Sequence, residues 1–102
     1  MGFSGFEWDD GNREHCQRHG VSTAEIESLF IENRLAFHPD LAHSQTEERL
    51  LGIGRTAAGR PIFLAFTIRE LVGARLIRPI SARYMHKEEI ESYEKDHPKT
   101  ND

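Results

Sequence analysis

Side chains that can transfer a proton or stabilise a negative charge occur throughout the chain. Nine of them have the most useful chemistry: Arg18, His19, Glu47, Glu48, Arg49, Arg55, Arg83, His86 and Tyr93. Glutamate, histidine and tyrosine can act as acids or bases, whereas arginine supplies a positive charge. Cleavage of RNA without a metal needs a base for the 2′-hydroxyl proton, an acid for the 5′-oxygen and cations for the phosphate. Most small charged domains contain such residues, so this set permits the chemistry without assigning it.

Several of these residues lie where a predicted strand meets a predicted helix, within residues 76–93. The strand is indicated by Ile77 and Ile80 among short polar residues. The helix is indicated by Ile90 and Tyr93, which are three positions apart among charged residues. Hydrogen-bonding and cationic side chains gather at the junction: Arg78, Ser81, Arg83, Tyr84, His86 and Lys87. They form a candidate anion site at the sheet edge. The simpler interpretation, favoured by composition alone, is a solvated strand end with ordinary surface arginines.

The basic residues are concentrated in one segment of a chain whose net charge is −4. Residues 55–87 contain seven basic residues and one acid, so this segment has a charge of +6. The other six basic and sixteen acidic residues give the rest of the chain a charge of −10. Six of the seven basic residues are arginines, which bind phosphate in a two-pronged geometry. The segment is a candidate patch for phosphate, nucleic acid or an acidic partner, unless its arginines pair with carboxylates of the helices.

Length and composition indicate one globular domain. We assign residues 1–97 to this domain and residues 98–102 to a polar C-terminal tail. No apolar run approaches the ~20 residues of a membrane-spanning helix, and the N-terminus has no secretory signal pattern. Cys16 is the single cysteine, which excludes an internal disulfide and fits a reducing compartment. We therefore expect a cytoplasmic protein.

Local patterns predict an α+β fold with helices packed on a small antiparallel sheet. Asp9 is a candidate N-cap of the first helix, and Ser22 with Glu25 forms a capping box for the second. The predicted elements are an N-terminal strand or arm at 3–8, helices at 11–18, 23–32 and 86–96, and strands at 35–38, 49–56, 62–68 and 74–82.

Three of the predicted strands have features that restrict how they pair. Gly52 and Gly54 allow another backbone or a ligand to approach their strand closely. Pro79 has no backbone donor, so its strand needs a bulge or an edge position there. The strand at 62–68 is the most apolar and is expected at the centre of the sheet.

His15, Cys16 and His19 are the closest approach to a set of metal ligands. The two histidines share a helix face, as zinc-binding helices require. Cys16 points about 100° away from His15, and no second pair of ligands has a suitable spacing. A helix surface with incidental histidines is the better interpretation, so we expect no metal and no cofactor.

Four motifs give a more specific indication. They are FEWD at 6–9, RHGVS at 18–22, EERL followed by IGRT within 47–56, and IRPISAR at 77–83 with Glu89 and Tyr93 downstream. In this order they resemble the BrnT family of toxins, which belong to type II toxin–antitoxin pairs, over residues 6–94. The resemblance implies a RelE-like fold, in which an N-terminal helix pair and a C-terminal helix pack on a small antiparallel β-sheet.

The resemblance also implies an RNA-cleaving toxin that inhibits translation. Its implied partner is a BrnA-like antitoxin with a ribbon-helix-helix DNA-binding domain, and the two together would repress their own operon. Operator DNA would be contacted only through the antitoxin, and no membrane is involved. The implied assembly is a toxin dimer bridged by an antitoxin dimer.

The resemblance places the catalytic residues at the charged motif positions of the family. The expected catalytic residues are Glu48, Arg55, Arg83, Tyr93 and His19. The expected RNA-binding residues are Arg18, Arg78 and Lys87. Arg55 and Arg83 would hold the scissile phosphate. Glu48 or His19 would accept the 2′-hydroxyl proton, and Tyr93 would orient or donate. The family commonly has lysine at position 18, and the arginine present here cannot readily transfer a proton.

Two other classes of function stay open. In a non-catalytic binding module, the arginine-rich sheet would dock an acidic partner in a transcriptional repressor complex. Growth arrest and RNA cleavage on expression in a bacterial host would distinguish the toxin from this module. A metal-dependent hydrolase would lose activity in a chelator, and the poor ligand set makes it the weakest alternative.

Overall fold

Three helices and five strands make up the structure, a computed structural model that describes residues 2–40 and 48–96. The elements are β1 (Gly5–Phe6), α1 (Asp10–Gln17), α2 (Thr23–Ile31), β2 (Leu35–Pro39), β3 (Arg49–Arg55), β4 (Pro61–Leu71), β5 (Ala74–Tyr84) and α3 (Lys87–Asp96). The predicted α+β class, helix pair and three-stranded meander are confirmed. The tail predicted at 98–102 lies outside the described residues. No helix in the described part of the chain is long and apolar enough to cross a membrane.

The strands form one sheet in the order β1-β5-β4-β3-β2. Neighbouring strands from β2 to β5 are antiparallel, whereas β1 pairs with β5 in parallel. The expectation of an antiparallel sheet is therefore wrong at one edge, because a strand of two residues carries no sequence signal for its direction. Backbone hydrogen bonds from Ser4 and Glu7 to carbonyls of β5 satisfy an edge that would otherwise be exposed. The sheet is mixed, and the RelE-like arrangement stays a prediction.

Both N-terminal helices begin at the caps that the sequence predicts. Asp9 and Asn12 form a reciprocal capping box at the start of α1, and Ser22 accepts the backbone N–H of Glu25 at the start of α2. The amide Nδ2 of Asn12 also donates to the carbonyls of Glu7 at 3.0 Å and of Pro79 at 2.8 Å. The first turn of α1 is therefore fastened to β5 by a buried side chain.

One face of the sheet packs against α1 and α2 to form the core. Alternate residues of β4 point to this face and are buried: Ile62, Leu64 and Phe66. They pack with buried side chains of the helices and their connection: Cys16, Val21, Ile26 and Leu29. Phe30 of α2 adds a ring contact to Phe66, with 5.0 Å between the centroids. The central position of β4 is confirmed.

The backbone restrictions expected at the glycines and at the proline are both present. β2 lies so close to β3 that a Cβ atom at Gly54 would be 1.9 Å from the carbonyl oxygen of Arg34. The register of β4 and β5 shifts between Ala65 and Phe66, which pairs with Pro79. This bulge accommodates a residue that cannot donate to the ladder.

The helix α3 lies over the other face of the sheet. Ile53 and Phe63 point to this face, because successive residues of a strand point to opposite faces. Together with Ala36 of β2, they line a cleft whose opposite wall includes Ser92 and Tyr93 of α3. No residue of α3 is fully buried. The helix therefore rests on the sheet without filling the space beneath it.

Candidate active site

Arg55 and Arg83 lie at the same end and on the same face of the sheet. Arg83 pairs across the strands with Phe63, which in turn pairs with Ile53. Arg55 follows two residues after Ile53, so it points to the same face. Arg83 is two strands away from β3, and Arg55 lies two residues further along β3 than the position opposite Arg83. The Cα atoms of the two arginines are therefore roughly 12 Å apart. Both long side chains can therefore reach one bound phosphodiester.

Glu89 of α3 binds Arg83 through two hydrogen bonds. Nη1 of Arg83 donates to Oε1 at 2.7 Å, and Nη2 donates to Oε2 at 2.9 Å. Oε1 also accepts the backbone N–H of His86 at 2.8 Å, as in a capping box at the start of α3. The hydrogen bonds from Arg83, and then from the His86 backbone, lower the pKa of Glu89 to about 2. The same pairing raises the pKa of Arg83 and holds its guanidinium 4.8 Å from the Phe63 ring centroid.

Arg55 contacts α3 further along the helix. Its guanidinium lies 4.8 Å from the centroid of the Tyr93 ring, which is a cation–π geometry. Its Nη2 atom is 3.7 Å from Oε2 of Glu94. The side chain of Arg55 is 21% exposed and that of Arg83 is 37% exposed. Solvent therefore reaches both arginines even though carboxylates of α3 accompany them.

His86 lies beside this pair, and sequence reasoning assigned it no specific role. Its Nδ1 atom is 3.5 Å from Oε1 of Glu89, and its side chain is 78% exposed. A carboxylate beside one ring nitrogen orients an imidazole and leaves the other nitrogen free to exchange a proton. The sequence contains a pattern that predicts the contact between these two residues. His86 precedes Glu89 by three residues at the start of a predicted helix, which is the spacing of a capping box.

Glu48 lies at the opposite end of β3 from Arg55. The two residues are seven positions apart along an extended segment, which corresponds to about 23 Å. Glu48 lines a surface depression with residues of three neighbouring strands: Leu50 of β3, Ile68 and Glu70 of β4, and Arg75 of β5. The structure therefore separates Glu48 from Arg55 and Arg83.

Arg18 and His19 lie at the C-terminal end of α1, and both are exposed. Cys16 anchors α1 in the core, on the sheet face opposite to α3. The guanidinium of Arg18 is 3.6 Å from the carboxylate of Glu14 on the outer surface of this helix. Neither Arg18 nor His19 lines the cleft beneath α3. The structure thus brings together Arg55, Arg83 and Tyr93, but places these two residues on another part of the surface.

The basic segment does not form a free cationic patch. Five of its six arginines have carboxylate partners at N–O distances of 2.7–4.0 Å: Arg55–Glu94, Arg69–Glu7, Arg75–Glu70, Arg78–Glu7 and Asp9, and Arg83–Glu89. The alternative in which the arginines pair with carboxylates of the helices therefore holds for Arg55 and Arg83, whereas the other three pair with acids outside the helices. Arg78, an expected RNA-binding residue, is held by two acids. Lys87 is exposed in the first turn of α3.

Of the three residues considered as metal ligands, one lies in the core and two lie at the surface. Cys16 is fully buried in the core, whereas His15 and His19 are exposed. Burial raises the pKa of the Cys16 thiol to about 11. In the described parts of the chain, no group of three or more His, Cys, Asp or Glu side chains is placed to hold a metal ion.

The fold and the site define a small α+β protein with two arginines beside a histidine and a tyrosine at one end of one sheet face. A family model described as "Ribonuclease toxin, BrnT, of type II toxin-antitoxin system" matches residues 8–89. The match covers most of the chain, so the chain belongs to this family, and the family indicated by the sequence motifs is confirmed. No curated protein sequence matches the chain. The matched range includes Arg55, Arg83 and Glu89 and ends before Tyr93.

Proposed function

We propose that this protein is a metal-independent endoribonuclease that inhibits translation by cleaving RNA. The observation that carries the proposal is the placement of Arg55 and Arg83 at one end of one sheet face, in a chain of a ribonuclease toxin family. His86 and Tyr93 lie beside the two arginines. The site therefore contains the cations, the base and the acid that attack by a 2′-hydroxyl requires.

Arg83 retains donors for a phosphate while Glu89 is bound. A guanidinium has five N–H donors, and Glu89 accepts two of them. The side chains of Glu89 and Glu94 are 33% and 39% exposed, so a phosphate can compete with them. Ion pairs in such solvated positions are weak. A phosphodiester bound between the two arginines gains stabilisation as charge develops on its oxygens.

His86 accepts the 2′-hydroxyl proton, and Tyr93 donates a proton to the 5′-oxygen. The carboxylate of Glu89 faces His86 and is itself held by Arg83, so the imidazole is oriented beside the phosphate position. Lys87 is the adjacent cation on α3 and contacts the RNA backbone. Because the 2′-oxygen is the nucleophile, the products are a 2′,3′-cyclic phosphate and a 5′-hydroxyl.

This assignment differs from the one made on the sequence alone. Glu48 lies about 23 Å along β3 from Arg55, which is too far for direct proton transfer at the same phosphate. His19 follows a helix that packs on the opposite face of the sheet. Arg18 and Arg78 contact RNA only if a longer strand extends over α1 and β5. We therefore retain Arg55, Arg83 and Tyr93 from the predicted set and add His86.

The test is cleavage of a labelled single-stranded RNA by the full chain in excess EDTA. Lysine at Arg83 keeps the charge but loses the two-pronged geometry, and we expect cleavage to slow by about 10²-fold or more. Arg75→Lys is the matched control, because Arg75 pairs with Glu70 at the other end of the sheet. Wild-type rates in folded Arg83→Lys protein would refute the assignment. Failure of the wild type both to cleave RNA and to arrest growth would refute the ribonuclease proposal.

The proposed antitoxin is a BrnA-like protein with a ribbon-helix-helix domain, which neutralises this toxin and represses the operon with it. Family membership implies an antitoxin, and the charge pattern supports one with acidic character. Glu89 and Glu94 already pair with the two arginines from a helix, so an acidic segment suits this surface. An antitoxin dimer would bridge two toxin chains. Copurification of the two proteins and loss of growth arrest on their coexpression would test this partnership.

The partial exposure of Arg55 and Arg83 supports a second candidate function, a binding module without catalysis. Here the arginines serve only to dock an acidic partner in a repressor complex, and RNA is not a substrate. Soluble, folded protein that neither cleaves RNA nor slows growth, but still binds the antitoxin and operator DNA as a complex, would favour this function.

A further inference from the structure

Of the residues that line the cleft beneath α3, only Tyr93 transfers a proton in the mechanism proposed above. The volume of the cleft is about 280 Å³. Its floor consists of neighbouring residues of β2, β3 and β4: Ala36, Ile53 and Phe63. Its roof consists of Glu89, Ser92, Tyr93 and Asp96, which recur at helical spacing and therefore share one face of α3. His38 and Met85 complete the lining.

We infer that this cleft binds one nucleobase of the RNA, next to the phosphate held by Arg55 and Arg83. The inference rests on the proposed ribonuclease function and identifies the part of the substrate that the cleft recognises. Both aromatic residues of the cleft carry an arginine at 4.8 Å from the ring centroid, Arg55 on Tyr93 and Arg83 on Phe63. The two phosphate-binding groups therefore border the cleft, and a nucleotide can place its base and its phosphate in these sites together.

The chemistry of the lining matches that of a base. A nucleobase is a flat ring with polar edges, and proteins bind unpaired bases by stacking them on aromatic side chains while hydrogen bonding to their edges. Phe63 and Tyr93 offer ring surfaces, whereas Ser92, His38 and Asp96 offer polar atoms. The volume lies at the lower limit of about 300 Å³ for small-molecule pockets, so the cleft suits one base rather than a longer segment.

Within residues 2–40 and 48–96, the protein leaves this space open. Protein interiors contain few voids larger than a water molecule, yet no residue of α3 is fully buried against the sheet. An apolar side chain of a partner protein could fill the cleft but would make no use of the arginines beside it. A base linked to a phosphate uses both the apolar walls and the positive charges, so the combination favours a nucleotide.

The test compares binding of the four nucleoside 3′-monophosphates and of inorganic phosphate to the full chain, by calorimetry and by NMR shifts. Stacking of a base on aromatic residues is expected to strengthen binding about 5- to 150-fold over phosphate alone. Ser92→Phe places a ring inside the cleft and should abolish this advantage. Glu91→Phe adds the same ring to the neighbouring position of α3 that does not line the cleft, and it serves as the matched control. Circular dichroism confirms that both variants are folded.

The possible outcomes test the base site independently of the ribonuclease proposal. Nucleotides that bind no better than inorganic phosphate, or equally well to Ser92→Phe, overturn the base site. Wild-type RNA cleavage by Ser92→Phe overturns it too, while leaving the ribonuclease proposal intact. Nucleotide binding that Ser92→Phe abolishes, in a protein that cleaves no RNA, supports the base site and refutes the ribonuclease. Binding of an antitoxin peptide that is lost only in Ser92→Phe, with no nucleotide binding, assigns the cleft to the partner and overturns the inference.

Discussion

Alanine at Gly54 tests whether the close approach of β2 to β3 holds the floor of the cleft in place. A Cβ atom at this position would lie 1.9 Å from the carbonyl oxygen of Arg34 and 3.3 Å from Cα of Leu35. Both are backbone atoms, so rotation of a side chain cannot relieve the contact. The strands must separate by about 1.1 Å before the shortest contact reaches the 3.0 Å limit that real Cβ atoms observe.

This separation has a calculable cost. Overpacking typically costs about 1–3 kcal/mol, and each strand hydrogen bond that is lost adds about 0.5–1.5 kcal/mol. We therefore expect Gly54→Ala to lower the free energy of unfolding by about 3 kcal/mol, which corresponds to a fall in Tm of about 12–24 °C. Because β2 carries Ala36 and His38 of the cleft, nucleotide binding should weaken in the fraction that remains folded.

Gly52→Ala is the matched control in the same strand. Its Cβ atom would lie 3.1 Å from Cδ1 of Leu35, the end of a side chain that can move. Replacing glycine by alanine also reduces the entropy of the unfolded chain by about 0.4–1 kcal/mol, so we expect a change within about 1 kcal/mol. Thermal unfolding followed by circular dichroism measures both variants. A Tm for Gly54→Ala within about 4 °C of the wild type would refute the reasoning.

Two further predictions concern the start of α3. Because pairing with Arg83 lowers the pKa of Glu89 from 4.5 to about 2, its stabilising contribution is complete above pH 4.5 and disappears as the pH falls towards 2. Glu89→Gln should therefore be less stable at neutral pH and flatten the acid limb of a Tm–pH curve, whereas parallel curves would contradict the pairing. His86→Asn keeps an N-cap residue but should slow RNA cleavage about 10²- to 10⁴-fold and change its pH profile. His15→Asn is the control, and an unchanged profile for His86→Asn would exclude His86 as the base.

Local patterns were sufficient for the helices and for the two backbone restrictions. Asp9 and Ser22 indicate where their helices begin, because a capping side chain accepts a hydrogen bond from a backbone N–H only three residues away. In any sheet, a glycine such as Gly54 allows another backbone to approach closely, and a proline such as Pro79 cannot donate a hydrogen bond to the neighbouring strand. The separation of Glu48 from Arg55 was also accessible, since seven positions along a predicted strand already imply a long distance. The family resemblance nevertheless placed Glu48 among the expected catalytic residues.

The ion-pair partners of the arginines could not be predicted from residues 55–87 alone. Their partners include Glu7 and Asp9 near the N-terminus and Glu94 near the end of α3. A count of charges along the chain records the excess of arginine but not the acids that folding brings beside it. For the same reason, no local pattern indicates that the described residues leave an open cleft between α3 and Phe63.

The order of residues determined the family, the α+β class, the helix starts and the presence of arginine, histidine and tyrosine at one strand-to-helix junction, because these depend on short-range spacing. The tertiary structure alone decided that β1 runs parallel to β5 and that Arg55 and Arg83 share a face. It also decided that carboxylates of α3 accompany both arginines. These properties depend on strand register and on which sheet face a helix covers, and both are set by packing between residues distant in the chain.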